Sequence, residues 1–248
     1  MLHSMEEVVI TQLDAANPAK DAGRHILEAL QTKRFFSANS VMLLSGGSAV
    51  SVAKELLSLL PLDTSLSTVT FALADERFVD LSSKDSNAVQ LIDAGVIDEI
   101  EKRGGNFVPI LRGDLATADE IGLKANSVYE EMVKQAEQIV LLAGIGADGH
   151  TTGMLPHSTS VDFERFSQAS HVVAYTIPQE SSNPFKQRIT TTLATLSFVD
   201  TVFLYAVGEE KSAALHSFIK KDAPLHQLPA LGLYLSQQPV HILTTVSL

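Results

Sequence analysis

No cysteine occurs among the 248 residues, so disulfides, thiol catalysis and thiolate metal sites are excluded. Basic residues are few: 18 Lys and Arg stand against 29 Asp and Glu, a formal charge of −11. That balance argues against a nucleic-acid-binding surface. It also requires any anionic ligand to be held by a local cluster of donors against the overall field. No apolar run is long enough to span a bilayer, so no membrane partner is expected. The N-terminus has no basic segment followed by an apolar stretch, so no signal peptide is expected and the protein is read as cytoplasmic. What remains is ordinary for a soluble globular protein, with 45% hydrophobic and 19% charged residues. A chain of this length buries a sizeable core. Without internal repeats or low-complexity linkers, one domain over 1–248 is the economical reading.

Short apolar runs alternate with longer amphipathic stretches, the pattern of a parallel sheet covered by helices. Strands are predicted at Val41–Leu44, Val69–Ala74, Asn106–Ile110, Gln138–Ala143, His171–Ile177, Thr201–Val207 and His241–Val246. Helices are predicted from Ala49 to Leu60, from Ser86-Asn87 onward with Leu91 and Ile92 facing inward, from Ala116 to Gln135, and from Glu209 to Ile219. In the third of these, Ile121, Val128 and Met132 fall at helical spacing. The loop from Ile177 to Lys186, with two prolines and two serines, reads as a mobile flap. The fold class is therefore α/β: a doubly wound, Rossmann-like, mostly parallel sheet with helices on both faces.

The segment Gly144-Ile145-Gly146-Ala147-Asp148-Gly149-His150-Thr151-Thr152 follows a buried-strand pattern and carries the most chemistry. Its glycines allow a tight turn and close approach to a ligand. The turn presents Asp148 and His150 at the carboxyl end of a strand, where ligands bind in open α/β sheets. A histidine there can exchange protons near neutral pH. Three further signals also fall just after strands. Ser45-Gly46-Gly47-Ser48 suits a phosphate at a helix start, and equally a tight turn with Ser48 as N-cap. Asp75-Glu76-Arg77 offers an anion partner and a proton acceptor, or a surface ion pair. Gly208-Glu209-Glu210-Lys211 places Lys211 in the first turn of a helix. Arg188 opens an alternating segment after the flap. No His, Asp or Glu set falls at a recognised metal spacing, so no metal is expected. His3, His25, His157, His171, His216, His226 and His241 are read as structural or exposed.

Taken in order, these blocks resemble the 6-phosphogluconolactonase family, within the wider group that includes glucosamine-6-phosphate deaminase. The matching residues are Ser45-Gly46-Gly47-Ser48, Asp75-Glu76-Arg77 with Val79, Asp85-Ser86-Asn87, Gly144-Ile145-Gly146 with Asp148-Gly149-His150-Thr151 and Pro156, Arg188-Ile189-Thr190, and Gly208 with Lys211. The Gly-His-Thr block is the specific part. Deaminases of the group carry a glutamate between the Asp-Gly-His unit and the proline. Thr151-Thr152-Gly153-Met154-Leu155 contains no carboxylate, which favours the lactonase. The chain departs from the family's usual residues at Ala49-Val50, Asp80, Ser83, His157 and Asn183-Pro184-Phe185. These departures bear on pocket detail more than on reaction class.

The resemblance implies metal-independent, cofactor-free hydrolysis of 6-phospho-D-glucono-1,5-lactone, the second step of the oxidative pentose phosphate route. His150 would be the general base, with Asp148 or Asp75 orienting the imidazole or the sugar. Gly46, Gly47 and Ser48, with Arg188 and Lys211, would hold the phosphate. Arg77 would either join them or hold its loop. The partner implied is the phosphorylated lactone, in a monomer or small homo-oligomer. The rivals are an amino-sugar-phosphate deaminase or isomerase, and a non-catalytic sugar-phosphate sensor. The segment 228–248 carries no functional reading.

Overall fold

The apolar runs become the middle of a seven-stranded sheet. The computed structural model describes residues 8–111, 113, 117–179 and 181–248. His3, the predicted helix start at Ala116, and Glu180 of the predicted flap lie outside them. In chain order the elements are β1 (Val8–Gln12), α1 (Pro18–Thr32), β2 (Ser40–Leu44), α2 (Ser48–Leu59), β3 (Val69–Leu73) and β4 (Asp75–Arg77). There follow α3 (Asn87–Asp93), α4 (Val96–Lys102), β5 (Asn106–Val108), α5 (Ala118–Gln135) and β6 (Gln138–Gly144). The chain continues with α6 (Ser160–Phe163), β7 (Val172–Thr176), β8 (Gln187–Thr191), α7 (Leu193–Leu196), β9 (Thr201–Ala206), α8 (Ser212–Lys220) and β10 (Val240–Thr244).

The main sheet runs β1-β10-β9-β6-β2-β3-β5, with every pairing parallel. All residues of β2 and β9 are buried, as are the five inner residues of β6. A strand buried along its whole length is covered on both faces. The expected α/β architecture, a mostly parallel sheet with helices around it, is thus the one observed. α1 shows how a helix joins this core. Ala22, Ile26 and Leu30 are buried at four-residue spacing, one stripe of the helix. Gly23 lets α1 press against the α2 backbone, since an added Cβ would lie 2.9 Å from the Leu56 nitrogen. In α5 a capping box between Thr117 and Glu120 starts the helix. Ile121, Ala125, Tyr129 and Val133 then face inward, and the Tyr129 hydroxyl donates to the Leu73 carbonyl at 2.5 Å.

Four sequence expectations need correction. Asp75-Glu76-Arg77 is a strand of its own, β4, in a second, antiparallel sheet ordered β4-β8-β7. The predicted strand at 171–177 belongs to that sheet, not to the parallel one. Ile92 is exposed while Leu91 is fully buried, because α3 turns only one edge inward. Ser48 does not cap α2; it is the first helical residue, and Gly47 (φ +63°) holds the N-cap position without a side-chain bond. The sequence reading also passed over β1, α1 and α4.

Between β2 and β6 the strand order reverses. β2 leads rightward to β3 and β5, whereas β6 leads leftward to β9 and β10. In open α/β sheets this switch point opens a crevice beyond the strands' carboxyl ends. The segments leaving β2, β3, β6 and β9 all emerge there.

Candidate active site

A cavity of about 220 Å³ fills that crevice. Ser45, Gly46, Gly47 and Ser48 line it from the end of β2, and Gly144, Ile145, Gly146 and His150 from the end of β6. Asp75 and Arg77 from β4, Arg188 from β8, and Lys211 after β9 complete the charged lining. Every sequence-predicted site residue lines it except Asp148, which sits behind His150. Ser45, Asn87, Thr152 and Gly153 also line the cavity. The first three fall within the blocks read from sequence without a role of their own, and Gly153 was not read as a site residue.

The histidine turn is built by its glycines. Gly149 adopts φ +84°, which favours glycine, and its N–H donates to the Gly146 carbonyl at 3.0 Å. The Gly146 N–H donates in turn to the His150 carbonyl at 2.9 Å. A side chain at Gly146 would collide with the His150 imidazole and the Asp148 carboxylate. Here the glycines make room for the histidine and aspartate side chains themselves. His150 Nδ1 lies 2.6 Å from Asp148 Oδ1, and the same oxygen accepts the His150 backbone N–H at 3.1 Å. Burial pushes the Asp148 carboxyl up, but the hydrogen bond and charge of His150 outweigh it and hold its pKa below the ordinary value. With Nδ1 facing Asp148, Nε2 is the ring nitrogen left for the cavity.

Asp75 has a different partner. Its Oδ2 accepts from Arg188 Nη2 at 2.8 Å, a pair with both side chains almost fully buried. Of the two aspartates, Asp148 is the one bonded to the imidazole, and Asp75 is paired with Arg188. Gly153 (φ +77°) lets the loop after His150 lie against Asp75, where a Cβ would stand 2.6 Å from the aspartate's own Cβ.

Glu76 is fully buried and does not face the cavity. It accepts from Ser86 Oγ at 2.8 Å and from the backbone N–H groups of Arg77, Asn87 and Ala88 at 2.7–3.0 Å. Burial raises its pKa, against the pull of these bonds. It pins the start of α3 to β4, and Asn87 then donates to the Asp75 carbonyl at 2.8 Å. A side chain at Gly46 would collide with the Asn87 amide, so Gly46 is needed for this close approach.

The anion side differs in detail from the sequence expectation. The Gly47 N–H is already engaged with Gln90 Oε1 at 3.0 Å. Arg188 is balanced by Asp75. Arg77 Nη1 donates to the Asp85 carbonyl at 2.6 Å, and its guanidinium lies 5.3 Å over the Phe185 ring, so it both lines the cavity and holds its loop. Lys211 is half-buried and forms no ion pair among the described residues; burial lowers its pKa against the opposing charge of Glu210. Five buried polar atoms around the cavity have no protein partner: Ser45 Oγ, Arg77 Nε, Asn87 Oδ1, Thr152 Oγ1 and Arg188 Nε. Buried polar groups are normally bonded, so this concentration marks a site shaped for a polar ligand. Among the described residues, no three His, Asp or Glu side chains group as metal ligands.

The profile of a family described as glucosamine-6-phosphate isomerases/6-phosphogluconolactonase matches residues 13–242. A 6-phosphogluconolactonase of Pseudomonas aeruginosa is 29% identical over 213 residues, spanning 82% of this chain and 81% of its own. The 6-phosphogluconolactonase 3 of Saccharomyces cerevisiae is 30% identical over 210 residues, 82% and 78% of the two chains. Among solved structures, a 6-phosphogluconolactonase from Trypanosoma brucei aligns over 96% of both chains with a TM-score of 0.77 at 20% identity. One from Trypanosoma cruzi covers 98% of this chain and 96% of its own, with a TM-score of 0.76 at 22% identity. At such identities these structures speak to fold alone.

Proposed function

The chain belongs to the family of glucosamine-6-phosphate isomerases and 6-phosphogluconolactonases, and on that premise we propose that it hydrolyses 6-phospho-D-glucono-1,5-lactone to 6-phosphogluconate. The observation that carries the chemistry is the Asp148–His150 pair at 2.6 Å, with the imidazole on a cavity that also holds Arg77, Arg188 and Lys211. An ionisable base beside a cationic pocket suits an uncharged ester tied to an anionic handle. The deaminase alternative is disfavoured by the segment after the histidine. Thr151 to Leu155 are all buried beneath the loop, with no carboxylate among them.

A lactone is an activated ester, and His150 is the base in this mechanism. Its Nε2 takes a proton from water as the water oxygen adds to the ring carbonyl carbon. Asp148 stabilises the imidazolium so formed. The tetrahedral intermediate collapses with cleavage of the bond to the ring oxygen, which receives the proton back from His150. The products are a carboxylic acid, which ionises, and a free hydroxyl. Lys211 and Arg77 supply the positive charge for the phosphate, and the exposed start of α2 at Ser48 adds its helix dipole. Anchoring the phosphate makes attack on the distant carbonyl effectively intramolecular. A single domain over 1–248 and residence in the cytoplasm belong to the same reading. No helix among the described residues is long and apolar enough to cross a membrane.

The test is hydrolysis of freshly generated lactone, coupled to 6-phosphogluconate dehydrogenase and read as the excess over spontaneous opening. The wild type gives a large excess. His150→Ala loses about 10²–10⁴-fold in kcat. A variant as active as the wild type would sink the assignment of the base. No excess from the wild type, with sugar phosphate still bound, would turn the reading to a sensor.

A further inference from the structure

Side-chain bonds to the His150 ring are sparse. Among the described residues Asp148 is the one side chain bonded to its ring, and Asp148 is itself exposed. The orientation of the imidazole therefore rests on the backbone turn 146–150. That turn is backed from outside by a segment distant in sequence. The Ala230 N–H donates to the Gly149 carbonyl at 3.1 Å, and the His157 N–H donates to the His226 carbonyl at 2.7 Å. The two bonds clamp both ends of the stretch 149–157 to residues 226–230. Between them Leu228 is buried with its Cδ1 in the space a side chain at Gly149 would need. Leu228 is fixed in turn by its N–H to the Pro224 carbonyl at 3.0 Å and by the Leu231 N–H to its own carbonyl at 3.0 Å.

We propose that Leu228 is a positioning residue for the reaction: it is the wedge behind Gly149 that sets the height and tilt of His150 over the cavity. This rests on the reading of His150 as the base. Leu228 is apolar and is not among the residues that line the cavity. Its removal lets the Gly149 turn sink away from the reacting carbon while leaving Lys211, Arg77 and the start of α2 in place. A misplacement of this kind lowers turnover and spares substrate affinity.

The experiment compares Leu228→Ala, Leu228→Val and Leu228→Met with Leu30→Ala, which removes the same atoms from the buried face of α1 far from the site. Each is assayed below the onset of its own thermal transition. Leu228→Ala is expected to lose about 10- to 100-fold in kcat with KM within about twofold. Leu228→Val should fall between it and the wild type, Leu228→Met should restore most of the rate, and Leu30→Ala should keep kcat. If Leu228→Ala does not fold, the valine variant carries the same test with a smaller drop. An unchanged kcat, a rise in KM alone, or an equal loss in Leu30→Ala would overturn the proposal. On a His150→Ala background, Leu228→Ala should cost nothing further. A full multiplicative loss there would show that the wedge does not work through His150. Wild-type activity of His150→Ala would remove the base and with it this role for Leu228, whereas an inactive His150→Ala beside a Leu228→Ala of unchanged kcat would overturn the wedge alone.

Discussion

Asp148 and His150 approach to 2.6 Å and Asp75 and Arg188 to 2.8 Å, and His150 lines the same cavity as the second pair. Their surroundings differ sharply. The side chains of the first pair are 51% and 37% exposed, those of the second 6% and 5%. The exposed pair joins residues two apart in one turn; the buried pair joins residues 113 apart across two strands of the second sheet. An exposed pair gains little in stability, since water screens it and competes with it. Its value is that a proton can enter and leave. A buried pair cannot be opened without stranding a charge. It therefore fixes the wall of the cavity and contributes little mobile charge. Similar lengths thus accompany opposite duties, and burial decides which.

The comparison breaks most visibly at its extremes. His150→Ala, with its large loss of kcat, should leave the denaturation midpoint close to that of the wild type. Arg188→Leu should do the reverse first, costing about 3–5 kcal/mol of stability by leaving Asp75 buried and unpaired. Urea unfolding followed by circular dichroism reads both. The double variant Asp75→Leu with Arg188→Leu should recover part of that loss, and if it does not, the pair is not what holds the two strands.

Smaller effects sharpen the contrast. Asp148→Asn keeps the shape of the turn but removes the charge that stabilises the imidazolium, so kcat should fall roughly 10- to 100-fold, the worth of a charge-assisted hydrogen bond. Lys211→Gln should raise KM about tenfold and change kcat less, since a charged hydrogen bond to the phosphate is lost. Steady-state kinetics on fresh lactone separates the two. The smallest effect is on pH-dependent stability. The Asp148 pKa is depressed in the folded state, so its contribution is present above the ordinary value of 3.8 and disappears as pH falls through the folded value. For a pair this exposed the loss should be below about 1 kcal/mol. Comparing wild type and Asp148→Asn by denaturant titration at pH 7 and at pH 3 measures it, and a gap that widens toward acid would contradict the sign.

The exposed pair was legible in the sequence because Asp148 and His150 share a single glycine turn. The buried pair was not, because nothing local links residue 75 to residue 188. The same limit explains the second sheet. Asp75-Glu76-Arg77 is a charged triplet that no apolar alternation marks as a strand. It is held instead by pairing with β8 and by burial of Glu76 under the start of α3. The buried strands β2, β6 and β9 declared themselves as apolar runs, whereas β1 has a mostly exposed pattern and was passed over. Lys211 and the Ser45–Ser48 turn could be placed at strand ends from sequence. That Gln90 occupies the Gly47 N–H could not, since the contact depends on how α3 docks. The segment after 228 had no motif to offer, because its influence passes through a leucine and two backbone bonds.

The outermost strand of the main sheet has a consequence for synthesis. Among the described residues β1 lies at one edge and pairs with β10 alone, Val8 opposite Val240. Some 230 residues must leave the ribosome before that partner exists, a wait of about 10–50 s at ordinary elongation rates. Through that interval a short apolar strand has no hydrogen-bonding neighbour, which is the condition for pairing with another chain. Ribosome-bound chains halted before residue 240 should accordingly be cut by protease near residues 8–12, and completed chains should resist it.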